Sequence, residues 1–197
     1  MAIKLGNQEI TLRVGSAECR VYLGDVLIES GDTPTPPTPS FDGKWLATYS
    51  DSHTESAECD ASSAITEGEI MLVDLESVQI GDCVTNIGEE AFYNCTSLTS
   101  ATIGSGVTSI GSYAFQGCSS LTSVTMPSSL DYIDSYAFRN CSSLTSVTVL
   151  AITPPTLSSK VFSSTNNCPI YVPAASVSAY QTASGWSTYA SRIQAIP

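Results

Sequence analysis

Positive charge is scarce in this 197-residue chain: 7 Lys and Arg stand against 19 Asp and Glu, and none lies between Lys44 and Arg139. The formal net charge of -12 makes a surface that repels phosphate backbones and anionic headgroups. It argues against nucleic acid and membrane lipid as partners. Histidine is nearly missing too. The single one, His53, sits in the polar stretch Asp51-Ser52-His53-Thr54 with no Ser or Cys nucleophile patterned beside it, so it reads as an ordinary loop residue. No apolar run is long enough to span a bilayer. The N-terminal stretch through Arg20 has neither the apolar core nor the small-residue cleavage site of a signal peptide. That leads us to expect a chain kept inside the cell, released without a conventional signal, or built into a particle assembled in the cytoplasm.

Marks of chemistry are equally thin. The acids Asp51, Glu55, Glu58, Asp60, Glu67, Glu69, Asp74, Glu76, Asp82, Glu89 and Glu90 crowd one stretch of the chain. They have no calcium-loop spacing, and a solvated face explains them better than the paired carboxylates of a glycosidase. The glycines form no phosphate-cradling loop. We therefore expect no catalytic, metal or cofactor site. Cysteine numbers 7, an odd count that does not suit a fully paired framework, and no C-x-x-C pair or nearby His suggests zinc. Cys95, Cys118 and Cys141 recur in one column and are expected to be small buried thiols. Cys19, Cys59, Cys83 and Cys168 are isolated, and no chemistry is assigned to them.

What the chain does have is repetition. Residues 84–106, 107–129 and 130–152 read VTNIGEEAFYNCTSLTSATIGSG, VTSIGSYAFQGCSSLTSVTMPSS and LDYIDSYAFRNCSSLTSVTVLAI. The fixed columns are Ile87/Ile110/Ile133, Ala91/Ala114/Ala137, Phe92/Phe115/Phe138, Cys95/Cys118/Cys141 and Leu98/Leu121/Leu144. A constant period with constant apolar columns predicts a solenoid, in which no unit buries its apolar face alone and each column becomes a ladder in a shared core. A partial copy precedes these, with Leu75, Val78, Ile80 and Gly81 in register with Leu98, Ala101, Ile103 and Gly104.

The pattern Leu98-x-x-Ala101-x-Ile103 is the strand signature of a leucine-rich repeat. With the added Ile-x-x-x-Ala-Phe-x-x-Cys stretch, residues from about 70 to 196 resemble the BspA-like leucine-rich repeats of gut Bacteroidetes and their phages. The resemblance implies a mostly β solenoid of 23-residue repeats and a surface-exposed adhesin or recognition module rather than an enzyme. One departure is plain. The Asn or Cys that usually ladders after the strand is Cys83 once, then Gly106 and Ser129, so other groups must satisfy those turns.

The flanks complete the predicted organisation. Residues 1–29 alternate apolar and polar positions, with Gly24-Asp25 as a hairpin turn, and read as a small β module too short for its own core. Residues 30–40 carry four prolines within Pro34–Pro39 and form a semi-rigid spacer. Residues 41–197 are the repeat domain, with an N-terminal cap over 41–70, where Trp45 and Tyr49 cover the open end, and a C-terminal cap over 153–197. In that second cap Pro154-Pro155 stops the repeat, Cys168–Pro173 gives a last strand, Ala174–Ala183 forms a short helix ended by Gly185, and Trp186, Tyr189, Ala190 and Ile193 fall at helical spacing. The order of anchor, stalk and head loosely resembles virion surface proteins of phages. That likeness implies a virion location, docking of residues 1–29 on another subunit, and a homo-oligomer.

Two surfaces are candidates for contact. Ser100/Ser123/Ser146 and Thr102/Thr125/Thr148 make a flat hydroxyl face, a pattern that soluble exposed strands also produce. The positions that differ between copies are free of the core's demands: Glu90/Tyr113/Tyr136, Tyr93/Gln116/Arg139 and Tyr132. Tyr and Arg are enriched at binding hot spots, so Tyr93, Tyr113, Gln116, Tyr132, Tyr136 and Arg139 form the candidate patch, fitted to a protein or glycan of a cell surface. The rival reading is a spacer or assembly protein whose solenoid binds nothing.

Overall fold

The computed structural model describes residues 3–5, 8–10, 45–50, 52, 54–57, 64–65 and 74–197. The hairpin expected at Gly24-Asp25, the spacer at 30–40, His53 and most of the acidic stretch before Asp74 lie outside these residues. The chain divides into two compact units, Met1–Thr38 and Pro39–Pro197. In the first, β1 (Ile3–Leu5) pairs antiparallel with β2 (Gln8–Ile10).

The second unit is the solenoid. β3 (Trp45–Tyr49) and β4 (Thr54–Ala57) form an antiparallel hairpin. β5 (Ala64–Ile65) then precedes strands that come in pairs, a longer and a shorter one per repeat. The longer set, β6 (Leu75–Ile80), β8 (Ser100–Thr102), β10 (Ser123–Met126), β12 (Ser146–Val149) and β14 (Ile170–Val172), stacks in parallel, with Val78, Ala101, Val124, Val147 and Ile170 in one register column. The shorter set, β7 (Asn86–Ile87), β9 (Ser109–Ile110), β11 (Tyr132–Ile133) and β13 (Thr156–Leu157), forms a second parallel ladder that begins at β5. The residues explain the elements. Ser123, Val124, Thr125 and Met126 run along β10 as exposed, buried, exposed, buried, the two-residue period of a half-buried strand.

The core is a set of one-residue columns. Phe92, Phe115, Phe138 and Phe162 are buried and stack at centroid distances of 4.9, 5.0 and 5.7 Å, with ring planes within 17° of parallel. Cys95, Cys118 and Cys141 are buried free thiols, as expected. The Cys118 and Cys141 thiols donate to the carbonyls of Phe92 and Phe115 one repeat back, at 3.2 and 3.1 Å. Hydrogen bonding along this cysteine column, together with burial, pushes the Cys118 thiol well above its ordinary range, which leaves it protonated and inert.

Backbone groups of the turns ladder as well. The amides of Phe92, Phe115 and Phe138 donate to Ala114, Ala137 and Val161 of the next repeat, so few turn groups are left for side chains to satisfy. At the position that breaks the expected Asn/Cys ladder, each copy finds its own solution. A Cβ on Gly106 would collide with the Asp82 carbonyl, and Ser129 Oγ donates to Val107 O at 2.7 Å. Cys83, an isolated cysteine with no chemistry assigned to it above, is disulfide-bonded, to none of the four free thiols Cys95, Cys118, Cys141 and Cys168. A threonine spine contributes as well. Thr99, Thr122 and Thr145 Oγ1 donate to the carbonyls of Glu76, Thr99 and Thr122 at 3.0, 3.1 and 2.9 Å.

Dissimilar caps close both ends, as an open solenoid requires. At the first, β3 pairs antiparallel with β6 and buries Trp45 and Tyr49. At the second, the structure departs from expectation in three ways. Pro154-Pro155 do not stop the repeat: β13 and β14 continue both ladders, and Phe162 extends the phenylalanine stack. The prolines fall between the ladders, where no strand hydrogen bond is lost. Gly185, at φ 80°, follows α1 (Val177–Thr182) but leads into a 3-10 helix over Trp186–Arg192. Ile193 leaves that helix to start β15 (Ile193–Ala195), which pairs in parallel with β14. Tyr180 and Trp186 seal the core, and their polar tips donate to Ala151 O and Pro155 O, each at 2.7 Å.

Candidate functional site

The strand face is as plain as the sequence implied. Ser100, Thr102, Ser123 and Thr125 are exposed and Ser146 and Thr148 half-exposed, aligned residue for residue along the sheet.

The turn between the two ladders is different. Each repeat there places two residues in the left-handed region, four positions apart. One column is Asn94, Gly117, Asn140 and Ser164, at φ 57, 78, 62 and 60°. Asn and Gly tolerate that conformation best, and at Gly117 an added Cβ would collide with the Asn94 side chain. The other column is Glu90, Tyr113, Tyr136 and Lys160, at φ 57, 60, 63 and 56°. None of these residue types is chosen by the backbone, and a bulky side chain in this region costs about 1–2 kcal/mol.

The second column carries a cation–aromatic cluster. Tyr113 and Tyr136 stack with centroids 5.2 Å apart and planes 4° apart. The Arg139 guanidinium lies over the Tyr136 ring at 5.3 Å from its centroid, and the Lys160 ammonium at 6.0 Å. Such contacts are worth about 0.5–1 kcal/mol where exposed. Among the described residues neither cation has a carboxylate partner. Gln116, one repeat before Arg139 in the neighbouring column, holds a buried Oε1 without a hydrogen-bond partner, which costs about 1–3 kcal/mol.

Of the six residues singled out from sequence, the structure brings Tyr113, Tyr136 and Arg139 together. Tyr93, at 36% exposure, starts the Tyr93/Gln116/Arg139 column. Tyr132, at 37% exposure, belongs to an adjoining polar network, where its hydroxyl lies 3.2 Å from Ser158 Oγ. Asp134 anchors that network. Burial raises its pKa, but hydrogen bonds from the Ser135 amide and from Ser112, Tyr132 and Ser158 outweigh burial and hold it below the usual aspartate range. Sequence reasoning missed Lys160. The clue was Ser159-Lys160-Val161-Phe162, which repeats the layout of Ser135-Tyr136-Ala137-Phe138 with one extra residue in the intervening repeat.

The family of BspA type leucine-rich repeat regions matches residues 65–183 in six copies. The chain belongs to that family. It is a leucine-rich repeat protein of a type that typically serves as a non-catalytic interaction scaffold. Two solved structures are similar: a leucine-rich repeat protein of T. pallidum, 27% identical over 52% of this chain and 56% of that one, with a TM-score of 0.44, and a leucine-rich cell surface protein of Faecalibacterium prausnitzii, 28% identical over 74% of this chain and 45% of that one, with a TM-score of 0.43. The chain thus spans about half the length of either. No curated protein matches it. No helix among the described residues is long and apolar enough to cross a membrane.

Proposed function

We propose that this chain is a recognition module that binds a protein partner through the turn edge of its solenoid, centred on Tyr113, Tyr136 and Arg139, and not through the hydroxyl strand face. The observation that carries this reading is the stacked tyrosine pair under two cations, built from the columns that the core leaves free. Tyr and Arg concentrate binding energy at interfaces, whereas Ser and Thr contribute little there. Display of this head from a larger particle or a cell envelope, with residues 1–29 as the attachment, is part of the proposal. The separate compact unit Met1–Thr38 supports it.

A photo-crosslinking residue placed at Tyr132 or at Thr125, in the cell or particle that makes the chain, tests the choice of surface. Adducts from position 132 alone are expected. Adducts from position 125 alone would move the site to the strand face. Adducts from neither would favour a spacer role.

A further inference from the structure

Charge in this chain is sorted by position. All 19 acids lie at or before Asp134, and the segment after it holds Arg139, Lys160 and Arg192 with no acid at all. The three cations are not used alike. Arg192 is spent inside the cap: its Nε donates to Cys168 O at 2.8 Å and its Nη2 to Thr165 Oγ1 at 3.1 Å. Arg139 and Lys160 make no such bonds among the described residues, and both sit over Tyr136. In so acidic a protein, two cations held by one ring and left without a carboxylate are free to receive one from outside. The nearest acid in sequence, Asp134, already accepts from the Ser135 amide at 2.6 Å.

From this we infer that the Tyr113–Tyr136–Arg139–Lys160 edge binds an acidic segment of a polypeptide partner, the carboxylates pairing with Arg139 and Lys160 and the rim of Tyr136 taking the chain between them. This rests on the turn edge being the binding surface. A polypeptide fits better than an acidic sugar because of the rings. Tyr113 covers one face of Tyr136 and the cations lie over the ring, so the ring between the two cations offers no open face for a pyranose to lie flat against. What is offered is ring edge, phenol hydroxyl and charge, the chemistry of a protein hot spot. The cost in stability falls on the same edge, with two tyrosines in left-handed backbone and the orphaned Gln116 acceptor beside them, as at sites where strain is kept for function.

The test is fluorescence anisotropy of the full chain with a labelled decaglutamate peptide, against oligogalacturonate of matched charge and a decalysine peptide. Decaglutamate is expected to bind, to weaken as salt is raised, and to lose on the order of tenfold in affinity in the Arg139→Gln/Lys160→Gln variant. The melting temperature of that variant should stay within about 4 °C of the parent. Decalysine, drawn to the acidic half, should be indifferent to the change. No decaglutamate binding, or binding that the double variant leaves intact, overturns the inference. Tighter binding of oligogalacturonate through the same two residues overturns it in favour of an acidic glycan. Crosslinks from position 132 alongside a failed peptide assay would leave the turn edge as the binding surface and remove only the ligand class.

Discussion

Two columns climb the same turns two residues apart and follow opposite rules. Phe92, Phe115, Phe138 and Phe162 are one residue type, fully buried and stacked ring on ring. Glu90, Tyr113, Tyr136 and Lys160 are an acid, two aromatics and a base, all at φ 56–63°. The inner column cannot vary, because each ring is the wall of the next slot. In the outer column the backbone prefers Asn or Gly, as Asn94, Gly117 and Asn140 demonstrate at a matching φ, yet neither occurs there. A solenoid fixes the residues that face its neighbours and leaves the turn edge open to selection for something else.

Breaking the inner column should produce the largest effect. Phe115→Ala removes a ring packed between Phe92 and Phe138 and is expected to cost about 3–5 kcal/mol in a denaturant melt, with the loss felt in both flanking repeats. Next comes the left-handed control. Gly117→Val puts a β-branched residue at φ 78° against the Asn94 side chain and should cost about 2–3 kcal/mol. Tyr113→Asn sharpens the comparison from the other side: relief of the backbone offsets the lost stacking, so stability should move by no more than about 1 kcal/mol. Thr122→Ala loses one exposed hydrogen bond to Thr99 O and should cost about 1 kcal/mol or less.

The polar network beside the edge supplies a pH-dependent term. The Asp134 carboxyl is held below its unfolded value, so its contribution is present above the ordinary aspartate pKa of about 3.9 and is lost as pH falls through the folded value. Asp134→Asn should therefore destabilise the chain at neutral pH and cease to matter in strong acid, as thermal melts across pH would record.

Much of this was legible in the sequence, for a physical reason. Ile110, Phe115, Cys118 and Leu121 repeat because they are buried against their own copies, and burial of that kind writes itself into the chain as period and identity. The continuation past Pro154-Pro155 was not legible, because one extra residue before Lys160 broke the period while leaving the ladder bonds intact. The strand at Ile193 was hidden for a related reason. Its spacing from Trp186 and Tyr189 suits a helix, and only the open edge of β14 makes it a strand. At the edge, variability singled out Tyr113, Tyr136 and Arg139 but could not reveal left-handed backbone or a cation arriving from the next repeat. Tyr132 looked like part of the same cluster and instead joins Ser158 and Asp134.

On the proposed reading, the outer column is filled for contact and the inner one for folding. The Tyr113→Asn/Tyr136→Asn variant, measured for melting temperature and for decaglutamate binding in the same preparation, separates the two roles. Melting is expected within about 4 °C of the parent, because Asn suits the left-handed backbone, together with loss of peptide binding. Cooperative unfolding at a much lower temperature, or undiminished binding, would contradict it.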